Sequence, residues 1–177
     1  MKFDVMPVAT EKQMNEIEQI ASDIWYNDYK NIFPSEQIDY MLQKYQSKAA
    51  MKKQMAEHTI YFMLFSDNCF AGYVAFQAHH DHIFIKRFCI KPEFRRRGIA
   101  KRTIHAFDNM VSGAEFRNID KLRIMVEQNN NSAIAAYEHL GFQKIKEVTT
   151  ALGNHYFSQD YLMERKIQRK SREDFYG

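Results

Sequence analysis

One segment near the middle of the chain constrains the fold more than any other. Residues 83–90 form an almost continuous apolar run, interrupted only by Lys86-Arg87, and such a run predicts a strand near the middle of a sheet. Pro92 ends the run, and the loop Arg95-Arg96-Arg97-Gly98-Ile99-Ala100 follows it. Apolar residues then recur at helical spacing, at Ala100, Ile104, Phe107 and Val111. A strand, a glycine-containing loop and a helix in succession predict a sheet with a helix packed on its face.

The rest of the chain predicts further strands and helices around this unit. A short strand at 3–8 precedes three helices, for which we expect N-caps at Thr10, Ser35 and Ser47. The later elements are strands at 59–65, 69–77 and 121–127, a helix at 130–140, and strands at 142–150 and 155–167. This order predicts an α/β (α+β) fold, with a mixed sheet and helices on its faces.

Length and composition fit one domain. The 177 residues include only six Gly and three Pro, so no linker stands out, and we expect a single domain at 1–168 with a charged C-terminal tail at 169–177. The N-terminus lacks a signal-peptide pattern, and no run approaches the roughly 20 apolar residues of a membrane span. Cys69 and Cys89 lie in predicted strands as small hydrophobic residues. We therefore expect a soluble, cytoplasmic protein.

Positive charge concentrates around the loop. The formal net charge is only +3, yet eight Lys and Arg residues and a single acid, Glu93, lie between Lys86 and Arg102. Free N–H groups and the positive dipole at a helix start bind anions, and Gly98 lets the backbone approach a phosphate closely. A solvated basic turn and a nucleic-acid-binding surface are the alternatives. Charge gathered at one turn favours a single diphosphate over an extended polyanion.

Two segments together resemble the GNAT superfamily of acetyltransferases. Arg95-x-x-Gly98-x-Ala100 resembles the family's Arg/Gln-x-x-Gly-x-Gly/Ala signature and follows a strand that ends in Ile90-Lys91-Pro92. Further along, Val126, Asn130, residues 133–137 and Leu140-Gly141-Phe142 resemble its second cofactor segment. The resemblance implies the GNAT fold, a mostly antiparallel sheet of about seven strands with helices on both faces and a splayed central strand pair.

The resemblance also implies acetyl-CoA as the acetyl donor. The end of the central strand is then expected to pair with the pantetheine arm, the loop amides to hold the pyrophosphate, and the second segment to complete the site. The cofactor-binding residues expected on this basis are Phe88, Cys89, Ile90, Arg95, Arg96, Arg97, Gly98, Ile99, Ala100, Lys101, Asn130, Ala133 and Tyr137. Asn130 can also serve as a helix N-cap, a role for which Asn129 and Asn131 compete.

In this family a primary amine attacks the thioester directly in a ternary complex. Tyr137 resembles the family's general acid, with a core aromatic as the alternative. The carboxylates that some members use as base are missing, because Lys86 or Arg87 and Met125 occupy their positions. Glu127 remains as a base acting through water or as a solvated strand-end acid. A water chain ending on backbone groups, and a domain that binds acetyl-CoA without catalysis, also stay open.

The acceptor is the least constrained part of the reaction. Residues 25–33 form an aromatic connection, from which Trp25, Tyr26 and Tyr29 are expected to line the pocket and Asp28 to attract a cationic amine. Packing of these rings against the sheet is the alternative. The helices before the sheet resemble those of small-molecule members, so we expect a small amine such as a polyamine, with a protein N-terminus or lysine as the other option.

Metal binding and self-association complete the expectations. The tract His79-His80-Asp81-His82 predicts a polar turn rather than a metal site, since adjacent strand residues point to opposite faces. We expect no metal and no membrane partner. A homodimer through the closing strand at 155–167 is compatible with the sequence.

Overall fold

The computed structural model describes residues 1–169 and has a single open sheet at its centre. In chain order its elements are strand β1 (Phe3–Pro7), helices α1 (Glu11–Tyr29), α2 (Ser35–Gln46) and α3 (Lys48–Ala56), strands β2 (Ile60–Ser66), β3 (Cys69–Ala78) and β4 (His82–Ile90), helix α4 (Ile99–Met110), strand β5 (Lys121–Glu127), helix α5 (Asn131–His139), and strands β6 (Gln143–Gly153) and β7 (Tyr156–Lys166). Apart from Arg169, the predicted tail lies outside the described residues.

The seven strands follow the order β1-β2-β3-β4-β5-β7-β6. All neighbours are antiparallel except β4 and β5, which are parallel, so the predicted mixed, mostly antiparallel sheet is confirmed. β7 lies between β5 and β6, and both of its edges are already paired. The closing strand is therefore not an edge strand, and a homodimer through it stays a prediction. Within residues 1–169 the sheet edges lie at β1 and β6.

Capping explains where the first three helices begin. Thr10 and Gln13 form the capping box, with the Thr10 hydroxyl accepting from Gln13 N at 3.2 Å and the Gln13 side chain accepting from Thr10 N at 3.0 Å. Ser47 caps α3 as predicted. Ser35 does not cap α2, because Pro34 takes the N-cap position and its carbonyl accepts from Ile38 N at 3.1 Å. The fixed φ of the proline ring starts the helix at Ser35 instead.

The aromatic connection is shorter than predicted. Helix α1 continues to Tyr29, so Trp25 and Tyr29 lie on its last turns, and only residues 30–34 link it to α2. The spacing of Ile17, Ala21 and Trp25 keeps one face of the helix buried against the sheet. The sequence prediction ended the helix too early, because the aromatic residues from Trp25 onward were interpreted as a connection.

Two hydrophobic cores cover the two faces of the sheet. Along β3, Val74 and Phe76 face α4 and α5, whereas Tyr73 and Ala75 face the helices α1, α2 and α3. This alternation is what a strand covered on both sides requires. Phe76 also meets Phe107 of α4 edge to face, with ring centroids 4.9 Å apart. Burying a side chain of this size stabilises the fold by about 1.5–3 kcal/mol.

The central parallel pair separates after a short contact. β4 and β5 are paired only from His82–Lys121 to Ile85–Ile124. Next to this point the β3–β4 register shifts, because Ala75 pairs with Arg87 and Phe76 with Ile85, which leaves Lys86 as the extra residue of a bulge. Beyond the bulge the strands diverge and open a wedge in the sheet. The predicted splayed pair is thus confirmed.

Candidate active site

A cavity of about 580 Å³ fills the wedge between β4 and β5. It reaches both faces of the sheet, since Trp25 and Tyr29 of α1 line it from one side and Ala133 and Tyr137 of α5 from the other. Its other lining residues are Asp28, Phe33, Met41, Tyr45, Gln54, Phe84, Ile85, Lys86, Arg87, Phe88, Cys89, Ile124, Met125, Val126, Glu127, Asn130, Thr150, Leu152, Ser158 and Asp160. Residues distant in sequence therefore share one chamber.

The loop before α4 leaves a row of backbone N–H groups unpaired within residues 1–169. Arg96 and Gly98 both have left-handed backbones, with φ of 61° and 76°, which turns the chain sharply into the helix. No hydrogen bond within residues 1–169 is donated by the backbone N–H groups of 96–101. A Cβ placed on Gly98 would meet no atom within 4 Å, so the approach to these groups is open. Free amides, a helix N-terminus and open space suit a diphosphate.

Arg95 faces away from this amide cradle. Its guanidinium binds both carboxylate oxygens of Asp28, at 2.8 and 3.0 Å, and its Nε donates to the Ile90 carbonyl at 2.9 Å. Arg97 lies over the ring of Phe94, at 5.4 Å from its centroid. The sequence predicted Arg95 as a cofactor ligand and Asp28 as an acceptor ligand. In the structure the two side chains bind each other.

Beyond Ile85 the backbone edge of β4 has no β5 partner, although the Ile90 carbonyl on it accepts from Arg95 Nε. Residues 87–90 pair with β3 on one side, while pairing with β5 stops at Ile85. An extended ligand arm can therefore add to this edge as a strand would. Phe88 and Cys89 line the cavity, and burial raises the pKa of the Cys89 thiol, which keeps it protonated. Ile99 is buried in the core, so only its backbone is available to a ligand.

Helix α5 carries the second predicted segment to the opposite wall. Asn130 is its N-cap, with the side-chain oxygen accepting from Ala133 N at 3.2 Å, so the capping role falls to Asn130 rather than to its neighbours. The Tyr137 ring packs between Phe88 and Phe142, at 6.3 and 5.6 Å between centroids. Burial raises the pKa of the Tyr137 phenol far above its ordinary value of 10.0, which holds it in the protonated, donor form.

Two carboxylates meet at the β5–β7 side of the cavity. Glu127 and Asp160 are directly paired across the two strands, and each residue is only 7% exposed. Glu127 accepts from the backbone and side-chain nitrogens of Asn129, at 2.6 and 3.1 Å. Asp160 accepts from the hydroxyls of Ser158 and Thr150, at 2.6 and 2.5 Å. Neither carboxylate has an ion-pair partner in the part of the chain that the structure describes.

The strand register sets the height of these carboxylates. The last parallel pair is Ile85–Ile124, and three residues further along β5 is Glu127. On β4, Cys89 lies three residues beyond Ile85 once the extra bulge residue Lys86 is left out of the count. Cys89 and Glu127 therefore lie level across the wedge. Sequence reasoning missed Asp160, because an isolated Asp in a late strand carries no signal. Its pairing with Glu127 depends on β7 inserting beside β5.

The remaining wall is aromatic and basic. Arg87 stacks on Trp25 and Tyr45, with its guanidinium carbon 5.4 and 4.8 Å from the ring centroids. Burial lowers the pKa of Lys86, with Arg87 as a second cause. Tyr26 is not part of the wall, because its hydroxyl binds the Asp39 carboxylate on α2. Of the four predicted acceptor residues, the structure therefore brings Trp25, Asp28 and Tyr29 to the cavity.

The site thus combines a cavity in the split sheet with a loop whose backbone N–H groups are unpaired within residues 1–169. Residues 29–158 match the family model described as acetyltransferase (GNAT) domain. The chain belongs to the GNAT acetyltransferase family. It is an acetyltransferase, and its donor is acetyl-CoA.

Solved structures share this fold. The PaiA N-acetyltransferase from Thermoplasma acidophilum in complex with coenzyme A is 18% identical, with a TM-score of 0.75 over 94% of this chain and 99% of that chain. The ribosomal-protein-S18-alanine N-acetyltransferase from Escherichia coli is 17% identical, with a TM-score of 0.63 over 97% of each chain. No curated protein sequence matches the chain. None of the helices in residues 1–169 is long and apolar enough to cross a membrane.

Proposed function

We propose that this acetyltransferase moves the acetyl group of acetyl-CoA to the primary amine of a small cationic acceptor, with a polyamine as the expected class. The amine attacks the thioester directly in a ternary complex. The observation that carries the proposal is the pair of buried carboxylates, Glu127 and Asp160, without a cationic partner in residues 1–169 and beside aromatic rings in the same cavity. We also assign the reaction to the cytoplasm, where Cys69 and Cys89 stay reduced.

Charge distribution orients the acceptor. A buried carboxylate costs several kcal/mol of desolvation unless a cation compensates it, and hydroxyl donors such as those around Asp160 leave its charge in place. An ammonium ion supplies that compensation. Lys86 and Arg87 on the β4 side repel it, so the amine faces β5 and β7. Trp25 and Tyr29 give the methylene groups of a polyamine an apolar surface, while the Trp25 ring already holds the Arg87 guanidinium.

The donor occupies the other side of the wedge. The free N–H groups of residues 96–101 hold the pyrophosphate, Gly98 gives it room, and the Arg96, Arg97 and Lys101 side chains add charge. The backbone of Phe88, Cys89 and Ile90 pairs with the pantetheine arm, and Asn130 and Ala133 line its far side. Bound acetyl-CoA supplies the thioester carbonyl. Because Cys89 lies level with Glu127, the amine and the thioester meet where β4 and β5 have separated.

Two side chains move protons in this proposal. Glu127 takes the ammonium proton through a water molecule, which makes the amine nucleophilic. Both oxygens of Glu127 are held by Asn129, so its orientation is fixed before the acceptor arrives. Tyr137 donates its phenolic proton to the leaving CoA thiolate and regains a proton, through water, from the nitrogen of the new amide. Burial raises the pKa of Tyr137, so the phenol stays protonated until the thiolate forms. Holding both reactants in one cavity supplies much of the remaining acceleration.

A thiol-release assay across acceptors tests the proposal. Wild-type protein with acetyl-CoA is assayed against polyamines, aminoglycosides, amino acids and peptides. Polyamines should give the highest kcat/KM, and Asp160→Asn should raise the acceptor KM about tenfold or more, the effect of losing one buried charge contact. Asp23→Asn, which makes the same change on an exposed acid outside the cavity lining, is the matched control. Faster turnover of peptides than of every small cation would overturn the proposal.

A further inference from the structure

One ion pair joins the two sides of the active site. Asp28 is the penultimate residue of α1, and Arg95 is the first residue of the loop at residues 95–100, which we call the anion loop. The two are linked by 2.8 and 3.0 Å contacts, while Arg95 Nε holds the Ile90 carbonyl at 2.9 Å. All three guanidinium nitrogens are therefore engaged in one plane, the geometry in which arginine fixes its partner most firmly. The side chains are 34% and 27% exposed, so water screens the pair only in part.

The pair lies between the proposed pyrophosphate site, at the N–H groups of residues 96–101, and the acceptor wall, the side of the cavity that Trp25 and Tyr29 line. On α1, Asp28 lies one turn after Trp25 and directly before Tyr29, both of which line the cavity. On the loop, Arg95 directly precedes residues 96–101, whose N–H groups donate no hydrogen bond within residues 1–169. The Asp28–Arg95 pair is also the only ion pair between helices α1–α3 and residues 91–101 in the part of the chain that the structure describes. A restraint on the loop can thus reach Trp25 and Tyr29 through this ion pair.

We propose that Asp28 is a positioning residue that, through Arg95, locks the acceptor wall to the donor loop when the diphosphate binds. The inference rests on the proposed binding of the pyrophosphate by residues 96–101. A diphosphate on these amides restrains the loop, Arg95 transmits the restraint to Asp28, and the last turn of α1 becomes more ordered. Trp25 and Tyr29 are then held at a fixed distance from the thioester before the amine enters.

The role differs from that of a ligand for the amine. Both oxygens of Asp28 are occupied by Arg95, so the carboxylate is committed to the loop and not to the acceptor. Glu127 and Asp160 are the carboxylates left for the ammonium. Losing Asp28 should therefore lower kcat, because a misplacement of about 1 Å can cost about 10²-fold in rate, and should leave the acceptor KM nearly unchanged. Losing Asp160 should instead raise the acceptor KM and leave kcat nearly unchanged.

The single tryptophan of the chain reports the coupling directly. Trp25 is 4% exposed, so acrylamide quenches its fluorescence only when the end of α1 opens. The probe is 3′-phosphoadenosine 5′-diphosphate, the nucleotide half of CoA, which carries the diphosphate and lacks the pantetheine arm that would touch the cavity. Its binding is measured separately by calorimetry. The variants are Asp28→Asn, Arg95→Gln and the double variant, with Asp23→Asn as control, an exposed acid on the same helix.

In the wild type and in Asp23→Asn, saturating nucleotide should lower the quenching constant about fivefold, the lower end of ordinary coupling between sites. In Asp28→Asn, in Arg95→Gln and in the double variant the nucleotide should bind yet leave quenching unchanged, because each change breaks the same contact. An equal fall in Asp28→Asn, or bound nucleotide without any fall in the wild type, overturns the coupling alone. Absence of binding to the wild type at millimolar nucleotide overturns the pyrophosphate site and the coupling together.

Discussion

Replacing Tyr137 by phenylalanine removes one oxygen from the cavity wall and keeps the ring. The ring contacts with Phe88 and Phe142 remain, at 6.3 and 5.6 Å between centroids, and the hydroxyl has no hydrogen-bond partner in residues 1–169. The substitution therefore breaks no internal contact. We expect the free energy of unfolding to change by no more than about 0.5 kcal/mol, as for substitutions away from any structural feature.

Catalysis should respond quite differently. A positioned general acid contributes about 10²–10⁴-fold to a rate, so Tyr137→Phe should lower kcat by about 10²-fold or more, equal to about 2.7 kcal/mol of barrier. The dissociation constant of acetyl-CoA should stay within about threefold, less than 0.7 kcal/mol, since the phenol is assigned to the leaving thiolate and not to the bound cofactor.

Steady-state thiol release and calorimetry with acetyl-CoA measure the two quantities on the same samples. Wild-type kcat should also show no decline from phenol ionisation up to about pH 10, because burial holds the pKa of Tyr137 above its ordinary value of 10.0. A variant that turns over at the wild-type rate would refute the reasoning and make Tyr137 a packing residue. A loss of acetyl-CoA affinity equal to the loss of kcat would refute it as well.

Three further predictions follow from separate contacts. Asp108→Asn should lower the free energy of unfolding by about 3 kcal/mol or more in urea titrations. The substitution leaves the buried Arg165 guanidinium, bound to Asp108 at 2.8 Å, without its anion. A loss below about 1 kcal/mol would show that the ion pair is dispensable. Gly98→Asn should weaken acetyl-CoA binding about tenfold or more in calorimetry, because asparagine tolerates a left-handed backbone and its side chain fills the open approach to the loop. Gly141→Asn, at a φ of 92° beside Arg165, should not weaken binding. Equal acetyl-CoA affinities of the two variants would contradict the loop's role. Stability should fall as pH rises past about 10, because unfolded phenols ionise there while the raised pKa of Tyr137 keeps the native phenol neutral. Tyr137→Phe should reduce this fall above about pH 10, and identical slopes would contradict the raised pKa of Tyr137.

Local sequence patterns were enough to predict most of the fold. The capping box at Thr10, the cap at Ser47 and the strand Lys121–Glu127 follow from short-range chemistry that the structure confirms. The errors arose where two local signals competed. Pro34 displaced Ser35 as N-cap, and the aromatic residues near Trp25 hid a helix that continues to Tyr29.

The candidate site was predictable where contiguous motifs carry it and, in part, from the aromatic residues at the end of α1. The anion loop and Tyr137 belong to such motifs, and the structure brings Tyr137 to the wedge beside the loop's strand. Asp160 and the Asp28–Arg95 pair depend on contacts between residues 33 or more positions apart, set by the insertion of β7 and the end of α1. No spacing rule in the sequence connects those residues. The acceptor wall was accordingly the part predicted least well.

The binding of a bisubstrate analogue tests the central claim most directly. A polyamine joined through an acetyl bridge to the CoA sulfur places both substrates in one molecule, so it fits only if the donor loop and the carboxylate pair open into the same cavity. By calorimetry the analogue should bind about 10²-fold or more tightly than CoA, because the second contact becomes intramolecular. Asp160→Asn should remove most of that gain. An analogue that binds no more tightly than CoA itself would contradict direct attack on a cationic amine in this cavity.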